Sequence, residues 1–225
     1  MISLVVIENT KRWPLELEGV EVVSARDYLT DPAYATRRGA TVYNVCRRYG
    51  YQSAGYYVSL LAEARRHRPL PSVATLRALE GDGAGPIVSP ELGELVEKSL
   101  APLRSDRFEL SVYFGRNLAG RHDRLSRALF NEYPAPFLRA WFERDGRWRL
   151  TRIRPIATSE IPDAHRDFVL EQAGRFFARP RRTRPPKAFR WDLAILWSPD
   201  DPQAPSDEKA IRRFRILRIA RYASA

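Results

Sequence analysis

The chain has 225 residues, of which 44% are hydrophobic and 11% aromatic, and it carries a formal net charge of +11 at neutral pH. This length suits one substantial domain, or one domain with an appendage, and the composition is that of a globular protein. The single cysteine excludes an internal disulfide framework and favours a reducing compartment. No apolar run approaches the roughly 18 to 20 residues of a membrane span, and no signal peptide is recognisable, so we expect a cytoplasmic protein without membrane contact.

Arginine supplies nearly all of the positive charge, because 34 of the 38 basic residues are arginine and four are lysine. Such an excess of basic charge favours binding to a polyanion such as nucleic acid. Arginine also binds phosphate and carboxylate through paired hydrogen bonds, so the same bias suits an anionic substrate. A GC-rich coding sequence would produce it as well, and the charge alone does not decide among these explanations.

Three short runs of β-branched and apolar residues predict strands in the first part of the chain. They are Ile2–Ile7, Val20–Val23 and Thr41–Cys46. A helix is predicted after the third strand, with Ser53 as its N-cap and its end near Pro69. The apolar positions that predict it follow the spacing i, i+3, i+4 and i+7, and they are Tyr57, Leu60, Leu61 and Ala64.

A charged turn, Arg47–Gln52, joins this strand to this helix. In open α/β sheets, the carboxyl end of a strand and the amino end of the next helix usually hold the ligand. Unpaired amides, the helix dipole and two guanidinium groups favour an anion there. The candidate anion-binding or substrate-binding residues are Arg47, Arg48, Tyr49, Tyr51, Gln52 and Ser53. In the alternative interpretation the arginines are solvated and the tyrosines are half-buried, since neither a dinucleotide fingerprint nor a P-loop is present.

The middle of the chain predicts a second turn of the same kind. A strand over Phe108–Phe114 precedes a helix over Arg124–Tyr133, and Gly115–His122 lies between them. If the strands before the two turns are parallel neighbours, the turns form one anion-accepting crevice. The candidate residues of the second turn are Arg116, Asn117, Arg121 and His122. Further helices are predicted over Val73–Leu79, from Ser89 onward and over Pro162–Ala178.

A β-hairpin is predicted over Pro136–Ile156, because Asp145-Gly146 separates two runs of alternating apolar residues. Its polar face is either an ordinary solvent face or a binding surface. That face carries Arg139, Glu143, Arg147 and Arg149. Before the hairpin, Asp106 and Glu109 are expected to pair with their sequence neighbours Arg104 and Arg107.

The carboxyl-terminal part begins with a basic, proline-rich stretch, residues 179–188, which is predicted to be a linker. The alternative is a nucleic-acid-binding tail, although the stretch has few aromatic residues between its arginines. A strand over Trp191–Trp197 and a helix capped by Ser206 follow, and the chain stops within that helix.

Four long segments resemble the RimK-like ATP-grasp N-terminal domain, the domain found in front of RimK-like ATP-grasp ligases. They are GVEVVSARDYLTDP at Gly19–Pro32, the stretch Asn44–Ser72, LAPLRSDRFELSVYFGRNLAGRHDRL at Leu100–Leu125, and RPIATSEIP at Arg154–Pro162. The resemblance implies association with an ATP-dependent carboxylate–amine ligase, without implying that this chain performs the ligation. Residues 189–225 are similar to a truncated start of the region that leads into the ATP-grasp module.

The expected architecture is α+β, a mixed β-sheet with flanking helices plus the hairpin, with a first domain over residues 1–178, the linker, and the truncated strand–helix appendage. The chain lacks the lysine pair and carboxylate cluster that an ATP-grasp site needs, so we expect no cofactor here. ATP and magnesium are expected only with an associated ATP-grasp module. The spacing of His67, His122 and His165 predicts no metal site.

Three functions are compatible with these observations. The first is a non-catalytic accessory domain that recognises an anionic or peptidic substrate, or docks an ATP-grasp ligase module supplied in trans or in a longer parent chain. The second is a stand-alone anion-binding or nucleic-acid-binding protein that uses Arg47, Arg48 and the basic linker. The third is an amide-forming or amide-cleaving enzyme with Cys46 as nucleophile, against which stands the ordinary role of a free cysteine as a small core residue.

Overall fold

The computed structural model describes residues 2–13, 19–79, 86, 88–178, 195–197 and 219–221. The chain divides into two compact units, residues 1–180 and residues 181–225. Among the described residues, no helix is both long enough and apolar enough to cross a membrane.

A parallel sheet of four strands forms the first half of the larger unit. Its strands are β1 (Ser3–Ile7), β2 (Val20–Ser24), β3 (Thr41–Asn44) and β4 (Arg68–Leu70), in the order β2-β1-β3-β4. All four residues of β3 are buried, as is usual for a parallel strand covered on both faces. The chain runs outward in opposite directions from β1 and β3, so the point where the strand order reverses lies between these two strands.

Four helices follow the parallel strands. They are α1 (Ala25–Thr30), α2 (Pro32–Thr36), α3 (Ala54–Ala64) and α4 (Val73–Leu79). Ser24, Asp31 and Ser53 cap the first three by accepting backbone N–H groups, each cap contributing about 1 kcal/mol. Side chains of β1 and β3 pack against α1 and α3 in one apolar cluster, which includes Leu4, Val6, Tyr28, Val42, Val58 and Ala62.

An antiparallel sheet of three strands forms the second half. It contains β5 (Arg107–Tyr113), β6 (Phe137–Asp145) and β7 (Arg147–Pro155), in the order β5-β6-β7. Two helices, α5 (Pro90–Leu100) and α6 (Asp123–Glu132), pack against one face of this sheet. The predicted hairpin is confirmed, with Leu138, Ala140, Phe142, Trp148 and Leu150 buried as its alternation requires.

Aromatic side chains join the two sheets through helix α7 (Arg166–Ala178). The ring of Phe177 lies 4.7 Å from that of Tyr43 on β3, and the ring of Phe176 lies 4.6 Å from that of Phe114. These edge-on and tilted contacts are favourable for aromatic pairs. The end of β5 is therefore packed on the face of the parallel sheet opposite α1 and α3.

In the smaller unit, β8 (Ile195–Trp197) pairs in parallel with β9 (Ile219–Arg221). The predicted strand over Trp191–Trp197 is thus observed in its last three residues. The predicted linker, residues 179–188, and the predicted helix that begins at Ser206 lie outside the described residues.

The α+β prediction is confirmed, and its strands divide between one parallel and one antiparallel sheet. The predicted helix after β3 is also found, but its buried face is not the one on which the prediction rested. Tyr57 and Leu60 are both 39% exposed, whereas Tyr56, Val58 and Ala62 are buried. This face is the buried one because its small residues, Gly55, Ser59 and Ala62, let the helix approach the sheet closely.

Candidate functional site

The turn between β3 and α3 is held in place by Asn44, which is 0% exposed. Its Nδ2 donates to the carbonyl oxygen of Gly55 at 2.6 Å and to Oγ of Ser59 at 2.9 Å. Its Oδ1 accepts the backbone N–H of Cys46 at 3.2 Å. The side chain therefore ties the end of the strand to the first turns of the helix. The sequence signal for this role is a lone amide in an otherwise apolar strand, and Asn44 is not among the candidate residues predicted from the sequence.

Gly55 lets the turn lie directly against the helix. A Cβ atom at this position would stand 2.3 Å from the carbonyl oxygen of Arg48 and 2.9 Å from Cβ of Cys46. Ser53 closes the same turn, because its Oγ accepts from the N–H of Tyr56 and donates to the oxygen of Arg48 at 2.9 Å. The backbone of the turn is thus fixed from both sides.

The candidate residues on this turn divide into two groups. Tyr49 and Ser53 are used internally, the hydroxyl of Tyr49 donating to the carbonyl oxygen of Asn44 at 2.9 Å. Arg47, Arg48, Tyr51 and Gln52 are exposed. In the described part of the chain, neither guanidinium group is engaged in a hydrogen bond or an ion pair. We call Arg47, Arg48 and Tyr51 the cationic rim.

A carboxylate already lies at this turn. The backbone N–H of Arg47 donates to Oε1 of Glu8, which follows β1, at 2.5 Å. The contact bridges β1 and β3 at the point where the strand order of the parallel sheet reverses. The turn therefore accommodates a carboxylate at a backbone amide.

Burial governs the ionisation of the two titratable side chains beneath the rim. It raises the pKa of the Cys46 thiol far above its usual value, and the negative charge of Glu8 adds to the rise. Burial also raises the pKa of the Tyr49 phenol well above its usual value, with smaller contributions from negative charge at Cys46, Glu8 and Glu160. Cys46 is a protonated core thiol at neutral pH, the opposite of what a nucleophilic cysteine requires.

The second turn uses its polar residues on itself. Phe114 and Gly115 both have positive φ, +50° and +79°, and the chain reverses there with Tyr113 and Arg116 hydrogen-bonded to each other. Arg116 then forms an ion pair with Asp123, the first residue of α6. The same carboxylate accepts the backbone N–H of Asn117 at 3.1 Å.

The remaining candidates on the second turn are also bound locally. Nδ2 of Asn117 donates to the oxygen of Ser111 at 2.8 Å, and its Oδ1 accepts from the N–H of Ala119. Nε of Arg121 donates to Nε2 of His122 at 3.1 Å. The His122 ring is buried against Phe108, and burial, with the nearby Arg121 charge, lowers its pKa.

The two turns do not meet the condition for a shared crevice. That hypothesis required the preceding strands to be parallel neighbours, whereas β3 belongs to the parallel sheet and β5 to the antiparallel sheet. Antiparallel pairing with β6 holds β5 in its own sheet. The structure gathers the first six candidate residues on one turn and the other four on another.

The antiparallel sheet groups Arg139, which was predicted on the polar face of the hairpin, in one charged cluster with three residues that the sequence did not place beside it: Glu109, Arg154 and Glu160. Nε of Arg139 lies 3.1 Å from Oε1 of Glu109, and Arg154 forms a two-point ion pair with Glu160. Arg139 and Arg154 stand directly opposite each other on β6 and β7, so the two glutamates offset a like-charge repulsion.

The cluster also corrects the expected pairing of two acids. Glu109 pairs with Arg139, and Asp106 pairs with Arg144 at 2.8 Å, in place of the sequence neighbours Arg104 and Arg107. These pairs depend on the strand register, which the sequence pattern alone does not give. Among the described residues, no group of three or more histidine, cysteine or acidic side chains could hold a metal ion.

Comparison with known families agrees with the geometry and with the resemblance found in the sequence. The model of the RimK-like ATPgrasp N-terminal domain matches residues 25–172, a range that contains both turns and the charged cluster. No curated protein and no solved structure matches the chain. Because the match covers more than half of the sequence, the chain belongs to the family of RimK-like ATPgrasp N-terminal domains.

Proposed function

We propose that this chain is a non-catalytic accessory domain of an ATP-dependent RimK-like carboxylate–amine ligase, and that its cationic rim recognises an anionic or peptidic substrate. Family membership supports the association with an ATP-grasp module. In this proposal the module supplies ATP, magnesium and the ligation chemistry, and it acts either in trans or in a longer parent chain. This chain supplies recognition.

The observation that carries the proposal is the state of Arg47 and Arg48. Both side chains are exposed, and in the described residues no carboxylate neutralises either of them. Guanidinium groups bind carboxylates and phosphates through paired, charge-assisted hydrogen bonds. The turn beneath them is already fixed by Asn44, Ser53 and Gly55, so an anion would bind with little cost in backbone ordering.

The contact from Glu8 favours a carboxylate as the group that is recognised. Oε1 of Glu8 accepts the backbone N–H of Arg47, so this amide can bind a carboxylate oxygen. A peptide with a terminal or side-chain carboxylate offers the same planar group. Glu8 would then move aside when the substrate binds, and its negative charge would keep the rim selective by weakening nonspecific anion binding.

A second candidate function is a stand-alone nucleic-acid-binding protein. It is favoured by Tyr51, which is 74% exposed beside the two arginines and could stack on a base, and by the net charge of +11. A salt titration separates the two functions. When phosphate contacts drive binding to an oligonucleotide, the logarithm of the affinity falls linearly with the logarithm of the salt concentration. The slope is steep and depends on the number of phosphates contacted.

The experiment that tests the first function uses the full chain with a RimK-like ATP-grasp ligase supplied in trans. We expect the two to co-purify and the ligase to use its substrate more efficiently when the chain is present. Replacing both Arg47 and Arg48 by Gln should then raise KM about tenfold or more with little change in kcat, because uniform binding is lost.

The matched control is Arg116→Gln, which removes an arginine that is already paired with Asp123. It should leave KM within about twofold of the wild type, since Arg116 lies on the second turn and its charge is already taken by Asp123. Failure to co-purify, or an equal rise in KM for the control, would contradict the proposed function.

A further inference from the structure

Helix α3 presents a regular apolar stripe to solvent. Its inner face is buried, with Val58 and Ala62 packed against the parallel sheet and Tyr56 packed against Val73 and Leu76 of α4. The outer stripe keeps the spacing i, i+3, i+4 and i+7, with Tyr57, Leu60 and Ala64 exposed and Leu61 half-buried. The core therefore does not bury the apolar stripe from which the helix was predicted.

Exposed apolar side chains are concentrated at this one element. Six large apolar residues of the described chain are exposed, and three of them, Tyr51, Tyr57 and Leu60, lie within ten consecutive residues. The buried ring of Tyr56 lies between the two exposed rings, 5.6 Å from that of Tyr51 and 5.8 Å from that of Tyr57, so it supports both from beneath. Clustered exposure of this kind is typical of an interaction site, whereas single exposed apolar residues are ordinary.

Positive charge flanks the stripe at both ends. Arg47 and Arg48 precede the helix, and the exposed Arg66 follows it. The acidic residue within the helix is Glu63, whose carboxylate accepts the backbone N–H of Val73 at 2.9 Å. The surface is thus apolar along its length and cationic at its ends.

We propose that this surface, Tyr57, Leu60, Leu61 and Ala64 between the cationic rim and Arg66, docks an acidic amphipathic helix of a protein partner. A partner helix with its own stripe packs along a row of this spacing, and carboxylates at its ends meet the arginines. The inference rests on the proposed function, because the ATP-grasp module is the partner that carries this helix. It also shares Arg47 and Arg48 with the proposed substrate site, so the docked helix and a substrate carboxylate would compete for the rim.

Two other occupants fit the surface less well. A second copy of the chain would bring Arg47 and Arg48 of one α3 toward arginines at the ends of the other, and like charges would oppose the contact. A nucleic acid would find stacking rings only at Tyr51 and Tyr57, because Leu60, Leu61 and Ala64 offer none. An acidic protein helix uses both the apolar stripe and the charge.

The test uses the full chain and two synthetic 18-residue helical peptides. Both carry leucine at i, i+3, i+4 and i+7, and one has glutamate at the remaining positions where the other has lysine. We expect the acidic peptide to shift the backbone amide signals of Tyr57, Leu60, Leu61 and Ala64 saturably, and the lysine peptide to leave them unchanged. Leu60→Glu should weaken binding of the acidic peptide at least tenfold, whereas Leu170→Glu, at an exposed leucine on α7, should leave it unchanged.

The contrary outcomes are equally specific. Absence of shifts on α3, equal binding of both peptides, loss of a wild-type dimer in Leu60→Glu, or displacement of the acidic peptide from α3 by a single-stranded oligonucleotide would each overturn the proposal. An acetate titration followed at the amides of Arg47–Ser53 separates this proposal from the proposed function. Leu60→Glu should retain the response to acetate even when docking of the peptide is lost.

Discussion

The β3–α3 turn and the turn between β5 and α6 each carry two arginines between a strand and a helix, yet they use them differently. In the second turn, the helix begins with Asp123, which takes Arg116 and the amide of Asn117. In the first turn, the helix begins with Ser53 and Ala54, and the nearby Glu8 takes the backbone amide of Arg47, so the side chains of Arg47 and Arg48 stay exposed. Whether an arginine is available to a ligand therefore depends on the acid that the fold sets beside it.

The two turns also differ in what their buried asparagines connect. Asn44 links a strand to a helix through Gly55 and Ser59, two residues of α3. Asn117 bonds to Ser111 and Ala119, within one strand and its own loop. The first turn is consequently a fixed junction between elements, which suits a binding site, and the second is a self-contained loop.

The largest effect is expected at the close approach of the first turn to its helix. Gly55→Ala would push a methyl group into the carbonyl oxygen of Arg48, which cannot move without breaking the turn, so we expect a loss of about 3 kcal/mol in the free energy of unfolding. Urea denaturation measures it.

Gly93 in α5 provides the control for this substitution, because a Cβ atom there meets nothing within 4 Å. Gly93→Ala should raise the free energy of unfolding by about 0.5 to 1 kcal/mol through helix propensity. Equal effects of the two substitutions would mean that the turn does not lie against α3 as described.

The second-largest loss of stability is expected for Asn44→Ala. It leaves the N–H of Cys46 without its acceptor and removes the donor that ties β3 to Gly55 and Ser59 of α3, so we expect a loss of about 2 kcal/mol. The exposed Asn131 serves as the control, since Asn131→Ala should change stability by less than about 0.5 kcal/mol. If Asn44→Ala leaves the free energy of unfolding unchanged, Asn44 does not hold the turn against α3 as described.

A smaller, pH-dependent effect should distinguish the second turn. Burial and Arg121 lower the pKa of His122 in the folded chain, so the unfolded chain takes up the proton more readily. Stability contributed by the neutral ring is thus present at alkaline pH and is lost as the pH falls through the ordinary histidine value of 6.5. Urea denaturation between pH 5 and 8 should be less pH-dependent in His122→Gln than in the wild type, and identical profiles would refute the assignment.

The smallest expected effect concerns Glu8 and tests whether it competes with an anion at the first turn. Glu8→Gln keeps an oxygen that can accept from Arg47 but removes the negative charge, so acetate should bind about two- to fivefold more tightly. Isothermal titration at low salt measures the change. Weaker binding in the variant would indicate that Glu8 assists the anion and does not compete with it.

Most of the local structure could be predicted from the sequence, because periodicity and caps are local signals. The structure contains the two helices predicted from their N-caps, Ser53 and Ser89, and the hairpin predicted from Asp145-Gly146. Other features depend on contacts between distant segments. The short strand β4, which includes Pro69, lacks a strand pattern of its own and pairs only because β3 lies beside it.

The candidate site was predictable in part for the same reason. The six residues of the first turn are neighbours in sequence and had to lie together. The orientation of α3 depended on the small residues of its inner face, and the ion pairs of Glu109 and Asp106 depended on cross-strand register. The separation of β3 and β5 into different sheets likewise follows from the pairing of β5 with β6, which no local pattern specifies.

The most direct test of the central claim is a titration of the full chain with acetate, followed by backbone amide shifts. The account predicts a saturable response at residues Arg47–Ser53, at least tenfold weaker when Arg47 and Arg48 are both replaced by Gln and unchanged in Arg116→Gln. A response centred on Arg116–His122, or one that the double replacement leaves intact, would contradict it.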